Sequence, residues 1–173
     1  MSPPRIKTTL VGSYPLPDWL VSNPSQQALD DAVRLVINIQ ETSDIDVVCD
    51  GEMYRFDINH PETNGMIEYF LKPMGGIRNA MSFDEINEYR KSSGMKFRRR
   101  PPGIVEAPIT SGTLDLPSAC QQAEALASRP LKFTLTGPHM LAKTLIDKFY
   151  GNIKDLTDAL ASVLAEQVSH LNA

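Results

Sequence analysis

Three corners of this sequence carry residues whose types and spacing could do chemistry. The first is Gly12-Ser13, which ends the apolar run of "TTLVGSYPLP". Glycine lets backbone approach a ligand closely, and successive N–H groups cradle a carboxylate or phosphate, with the serine hydroxyl as a further donor. A tight turn with a capping serine has the same sequence, so the dipeptide alone favours a turn. The second corner is Asp50-Gly51-Glu52. A carboxylate at a strand end, as Glu52 would be, can hold an ammonium group or act as a base. Asp-Gly is also a common turn dipeptide, and Asp50 reads as a turn or structural acceptor. The third is Thr136-Gly137-Pro138-His139, where His139 either contacts a ligand or sits on the surface near a helix start.

Other chemistry-bearing residues read as structural. Arg55 and Asp57 are close enough to pair, although Arg55 could also reach an anion. His60, His139 and His170 are scattered, with no Cys or carboxylate at ligand spacing, and make no metal site. Cys49 and Cys120 have neither redox nor metal spacing and read as buried, reduced thiols of a cytoplasmic protein. Tyr14 and Trp19 could stack on a planar ligand or cover the mouth of a fold.

Composition narrows the partners. The 173 residues are 42% hydrophobic and 22% charged, with a formal net charge of −4. An acidic chain is a poor binder of nucleic acid, which needs a basic face. The local run "FRRRPP" reads as a solvated loop. No segment approaches the roughly 18 apolar residues of a membrane span, and "MSPPRIK" lacks the apolar core of a secretory signal.

The elements that would position the three corners alternate. Ile6 to Val11 reads as a strand, followed by a long proline-containing loop. A helix then starts after Ser25, with Ala28, Ala32, Leu35, Val36 and Ile39 at helical spacing. A strand over Asp46 to Cys49 leads into Asp50, and a helix follows with Met66, Ile67 and Phe70 as its apolar face. Residues 74–102 read as an insertion holding a short helix, "SFDEINEYRKS", and a small hairpin. The strand "GIVEAPI", a helix over 116–127, the strand "LKFTLTGP" and the helix "HMLAKTLIDKFYG" come next. The last helix carries a stripe of Leu156, Leu160, Val163, Leu164, Val168 and Leu171. Four βα units argue for an α/β fold with a parallel sheet, whose ligands bind at the carboxyl ends of strands. Eight such units in about 250 residues make a complete barrel, so the expectation is a single partial domain over 1–173.

Taken in order, "TTLVGSYPLPDWL", "DVVCDGEMYRFD", "NGMIEYF" and "LKFTLTGPHML" resemble the catalytic domain of cobalamin-independent methionine synthase, in a superfamily that includes epoxyalkane:coenzyme M transferase and uroporphyrinogen decarboxylase. The resemblance implies a (β/α)8 TIM barrel, of which this chain covers about the first four units. It implies methyl transfer from 5-methyltetrahydrofolate, or another donor, to the thiol of homocysteine. Gly12 and Ser13 would receive the homocysteine carboxylate, Glu52 would hold its amino group, and Thr136, Gly137 and His139 would stand on the methyl-donor side. The family's zinc activates the thiol, and its His and Cys ligands are expected beyond Ala173, as is an Asp-Glu-Pro motif. The 173 residues alone would then be inactive, and open barrel edges would favour self-association. Two other readings stay open: a related thiol alkyltransferase, for example one acting on coenzyme M, and a non-catalytic half-barrel binding module.

Overall fold

The computed structural model describes residues 6–59, 65–92 and 100–171. The readings for His60, Arg98 and Arg99 lie outside the described residues. Two compact units are present: Met1–Gly65 with Ser118–Leu135, and Met66–Pro117 with Thr136–Ala173.

In the first unit a short helix α1, Asp18–Ser22, follows Pro17 within the stretch expected to be loop. A buried anchor explains it, since Leu20 is fully enclosed in the core. Helix α2 spans Gln26–Thr42, and the Ser25 side chain caps it by accepting from the Ala28 N–H at 3.1 Å. Its buried stripe is Leu29, Ala32, Val33, Val36, Ile37 and Gln40. This corrects the expected face, because Leu35 and Ile39 are exposed. The stripe is displaced by about one position, and it passes through a glutamine that an apolar count skips.

Three segments of this unit run parallel, joined by single bridges between Thr9 and Val47 and between Val48 and Leu131. The expected strands at 6–11 and 131–138 are therefore not continuous ladders, and Ile6 and Val11 are almost fully exposed. Side chains supply the missing pairing. Both the backbone N–H and the hydroxyl of Thr8 donate to Asp46 Oδ2, at 2.8 and 3.0 Å, and the Asp46 N–H donates to Thr8 Oγ1 at 3.1 Å. Gln40 does the same at the next residues. Its Nε2 donates to the Cys49 carbonyl at 2.6 Å and its Oε1 accepts from the Cys49 N–H at 2.9 Å.

The second unit holds helix α3, Glu68–Leu71, strand β1, Gly75–Arg78, helix α4, Phe83–Ser92, and strand β2, Ile104–Thr110. Helix α5, Leu116–Glu124, crosses the division between units and stops short of the expected residue 127. Helix α6, Pro138–Thr144, strand β3, Ile146–Asp147, and helix α7, Ile153–Ser169, complete it. The sheet order is β1-β2-β3, with β1–β2 antiparallel and β2–β3 parallel. "GIVEAPI" is thus not the third strand of a uniform parallel sheet. It is the partner of β1, and the hairpin expected within the insertion extends past residue 102. Helix α4 opens on a capping box: Ser82 Oγ accepts from the Glu85 N–H and Glu85 Oε2 accepts from the Ser82 N–H. The expected helix around residue 66 shrinks to four residues, with Ile67 and Phe70 buried and Met66 exposed. On α7, Leu156, Leu160, Val163 and Leu164 are buried as expected, whereas Val168 is exposed and Gln167 is buried. Gln167 Oε1 accepts from the Leu116 N–H at 2.9 Å.

Replacing Gln40 with leucine leaves the buried Cys49 N–H and C=O without partners. The expected loss is about 2–4 kcal/mol, read as a lower urea midpoint by the fluorescence of Trp19, the chain's one tryptophan. An unchanged midpoint would show that Gln40 does not substitute for a ladder.

Candidate functional site

The segment that Gln40 holds ends at Asp50 and turns sharply. Gly51 and Glu52 are both left-handed, with φ of +69° and +61°. Glycine adopts this freely, but a residue with a side chain loses about 1–2 kcal/mol there. Hydrogen bonds hold the corner. Asp50 Oδ1 accepts from the Glu52 N–H at 2.9 Å, and the Gly51 carbonyl accepts from the Tyr14 N–H at 2.9 Å. A short 3₁₀ turn, Met53–Arg55, follows, with the Arg55 N–H donating to the Glu52 carbonyl at 3.1 Å.

The corner aims the Glu52 side chain at Gly12. A Cβ on residue 12 would lie 2.7 Å from Glu52 Oε1, so a side chain there would push this carboxylate from its place. The φ of Gly12 is not positive, and the close approach of Glu52 is what favours glycine here. Glu52 is fixed from two other sides: Thr134 Oγ1 donates to Oε1 at 2.7 Å, and Arg55 Nη1 pairs with Oε2 at 3.1 Å. Its side chain keeps 15% exposure. Among the described residues, the N–H groups of Gly12 and Ser13 and the Ser13 hydroxyl carry no intramolecular hydrogen bond. The corner therefore sets uncommitted donors beside a carboxylate.

Arg55 is buried and heavily engaged. Nη2 donates to the Thr134 carbonyl and hydroxyl at 2.6 and 2.9 Å, and Nε donates to the Tyr54 hydroxyl at 2.9 Å. Tyr54 in turn donates to the Thr134 carbonyl and stacks on Phe133 at 4.9 Å between centroids. Arg55 acts here as a brace for Glu52, in keeping with its structural reading. Thr134 was not among the expected site residues. Its only signal was its place two residues before Thr136 on a segment ending in Gly-Pro. Tyr14 packs against the core beneath the corner and Trp19 is partly exposed on α1.

The remaining site candidates lie in the second unit. Thr136 is buried, and its hydroxyl donates to the Met66 carbonyl at 2.6 Å. Gly137 caps α6 and His139 is exposed in the first turn. Cys49 is buried and Cys120 half-buried, and burial pushes both thiols above their ordinary range. No three His, Cys, Asp or Glu among the described residues come together to hold a metal ion. No helix of the described residues is long and apolar enough to cross a membrane.

No protein-family model matches the chain. Methionine synthases from Sulfurisphaera tokodaii and Saccharolobus solfataricus are 29% and 28% identical to it, each over 97% of this chain. The match covers 48% and 49% of those proteins, so the chain spans about half the length of the curated relatives it matches. Among solved structures, a B12-independent methionine synthase from Shewanella sp. W3-18-1, in complex with selenomethionine, superposes with a TM-score of 0.69 at 20% identity. That match covers 94% of this chain and 47% of the other, and shows an α/β fold of the same kind. The resemblance to methionine synthase thus runs over nearly the whole chain.

Asp50 gives the corner a pH signature. Burial raises its carboxyl to about 6, with Glu52 adding to the rise and Arg55 and the Glu52 N–H opposing it. Cys49 and Cys120 are the other titratable groups that sense its charge. The folded chain then keeps a proton that the unfolded chain releases near pH 4. Stability falls as pH rises from about 4 to about 6 and levels off above, by at most roughly 3 kcal/mol. In Asp50→Asn this slope should vanish from the urea midpoint measured at pH 4, 5, 6 and 7; an identical slope in the variant would assign it to other groups.

Proposed function

We propose that this chain is part of a cobalamin-independent methionine synthase, a partial (β/α)8 barrel that supplies the amino-acid side of the site. The observation that carries this reading is the approach of Glu52 to Gly12 beside the uncommitted donors of Gly12 and Ser13. A zwitterionic amino acid needs both halves: N–H and O–H donors for its carboxylate, and a carboxylate for its ammonium group. Homocysteine fits, with Gly12 and Ser13 at its carboxylate end and Glu52 at its amino end. The relatives named methionine synthase, and the related structure that holds selenomethionine, support this choice of ligand.

The reaction is methyl transfer from 5-methyltetrahydrofolate, or another methyl donor, to the homocysteine thiol. Thr136, Gly137 and His139 belong to the donor side of this reading. Zinc, when bound, lowers the pKa of a coordinated thiol so that it reacts as thiolate. Among the described residues no cluster fits a zinc site; in this reading the metal's His and Cys ligands are those that the resemblance to methionine synthase places beyond Ala173. What this chain contributes is orientation. Arg55 and Thr134 hold the Glu52 carboxylate still, and the glycine at position 12 lets that carboxylate come close to the backbone of the Gly12-Ser13 corner. The protein would work in the cytoplasm.

Calorimetry on the purified chain separates this from a coenzyme M enzyme. L-homocysteine and L-methionine should bind, and Glu52→Gln should weaken them about tenfold or more, the loss expected for a hydrogen bond between charged groups. Binding of coenzyme M in preference to both amino acids would sink the reading.

A further inference from the structure

We propose that Asp50 is the positioning residue of this site: its side chain locks Glu52 in the left-handed corner from which the Glu52 carboxylate faces Gly12. The proposal rests on the amino-acid reading for its functional consequence, but its structural core stands on geometry alone.

A glutamate with φ of +61° is an outlier, and such conformations persist only where neighbouring contacts over-determine them. Asp50 reaches forward two residues to accept the Glu52 N–H at 2.9 Å, the bond by which an aspartate closes a turn on its own backbone. Its carbonyl also accepts from the Met53 N–H at 3.4 Å. The Glu52 side chain is fixed by Thr134 and Arg55, so the residue is clamped at both its backbone and its tip. Release of the backbone would return Glu52 to a right-handed or extended conformation. The Cβ direction would change, and Oε1 would no longer sit 2.7 Å from where a Cβ of residue 12 would be.

Asp50 is suited to hold rather than to react. It is 1% exposed, and its Oδ2 has no hydrogen-bond partner, which makes the residue expensive to bury for any purpose other than the bond that Oδ1 makes. Asparagine preserves that bond through its own Oδ1. It is also tolerable in space, because Asp50 borders a recess of about 40 Å³ walled by Leu29, Val33, Ala123 and Leu126.

Three variants test the proposal on the full chain. Hydrogen exchange should accelerate at the Glu52 amide at least tenfold in Asp50→Ala, with the amides of Val36 and Ile37 unchanged, and return close to wild type in Asp50→Asn. L-methionine binding should follow the same order, weakened in Asp50→Ala and restored in Asp50→Asn. A purely structural role would slow or speed all amides of the unit together and would not be rescued selectively. The third variant is Glu52→Gly, which removes the left-handed penalty. Asp50→Ala should lower the urea midpoint in the Glu52 background and shift it much less in the Glu52→Gly background. This comparison decides the question even where Asp50→Ala alone folds poorly. Equal shifts in the two backgrounds, or an Asp50→Asn chain as loose at Glu52 as Asp50→Ala, would overturn the proposal. A wild-type chain that binds no amino acid would overturn the functional reading instead, and leave the exchange and midpoint results to judge Asp50.

Discussion

The contact between the Gln40 amide and the backbone of Cys49 is the constraint on which the first unit depends. The segment at 46–50 makes only isolated parallel bridges, so most of its backbone polar groups lack the ladder that usually satisfies a buried strand. A primary amide offers one donor and one acceptor at nearly the spacing of a peptide group. Gln40 therefore stands in for a neighbouring strand, and it does so from the buried stripe of α2. Helix and segment are locked in register by it, and the residues immediately after Cys49 inherit that register. Backbone bonds fix Val47 and Val48, and Gln40 carries that placement on to Cys49, the residue from which Asp50, Gly51 and Glu52 begin.

From that fixed point the corner is built by opposing demands. A left-handed glutamate resists its conformation, while one backbone bond and two side-chain contacts hold it there. Arg55 is central to the outcome. As a fixed planar fork it spreads its donors over Glu52, Thr134 and Tyr54, which leaves it poorly placed to reach a ligand but well placed to keep a carboxylate from wandering. The same economy explains Thr134, whose hydroxyl and carbonyl serve Glu52 and Arg55 at once.

How much of this was legible in the sequence depends on the distance over which each signal acts. The helix cap at Ser25 is local, and it was readable because the capping residue and its target are three apart; the Ser82 cap has the same spacing but was not singled out. The long α7 stripe was readable for the same reason, down to its last turn, where Val168 faces out. The strands misread as ladders failed because β-branched runs report a preference for extended backbone, not the presence of a partner. "GIVEAPI" was correctly extended and wrongly partnered, since nothing within seven residues encodes whether the neighbour runs parallel or antiparallel. Gly12 and Glu52 were chosen as site residues from their strand-end positions, and the structure brings them together. Thr134 was missed because a threonine in a β-rich segment announces nothing, and its importance comes only from a glutamate 82 positions away.

The charge count of the corner bears on which small thiol it would take. Glu52 and Arg55 form a pair, and Asp50 loses its negative charge as pH falls through about 6. Lys132, whose charge acts on Cys49, is tied through Nζ to the Leu10 carbonyl. A zwitterion brings one charge of each sign, so its ammonium can share the Glu52 carboxylate while its own carboxylate meets neutral N–H donors, and the sum is unchanged. A sulfonate thiol without an amino group brings only negative charge, and places it near a carboxylate whose partner, Arg55, is already engaged with Glu52, Thr134 and Tyr54. The repulsion does not need a clash or a size limit; it follows from Arg55 being spent on Glu52. In the proposed function, selectivity for an amino acid over coenzyme M is thus a by-product of the brace that positions the glutamate.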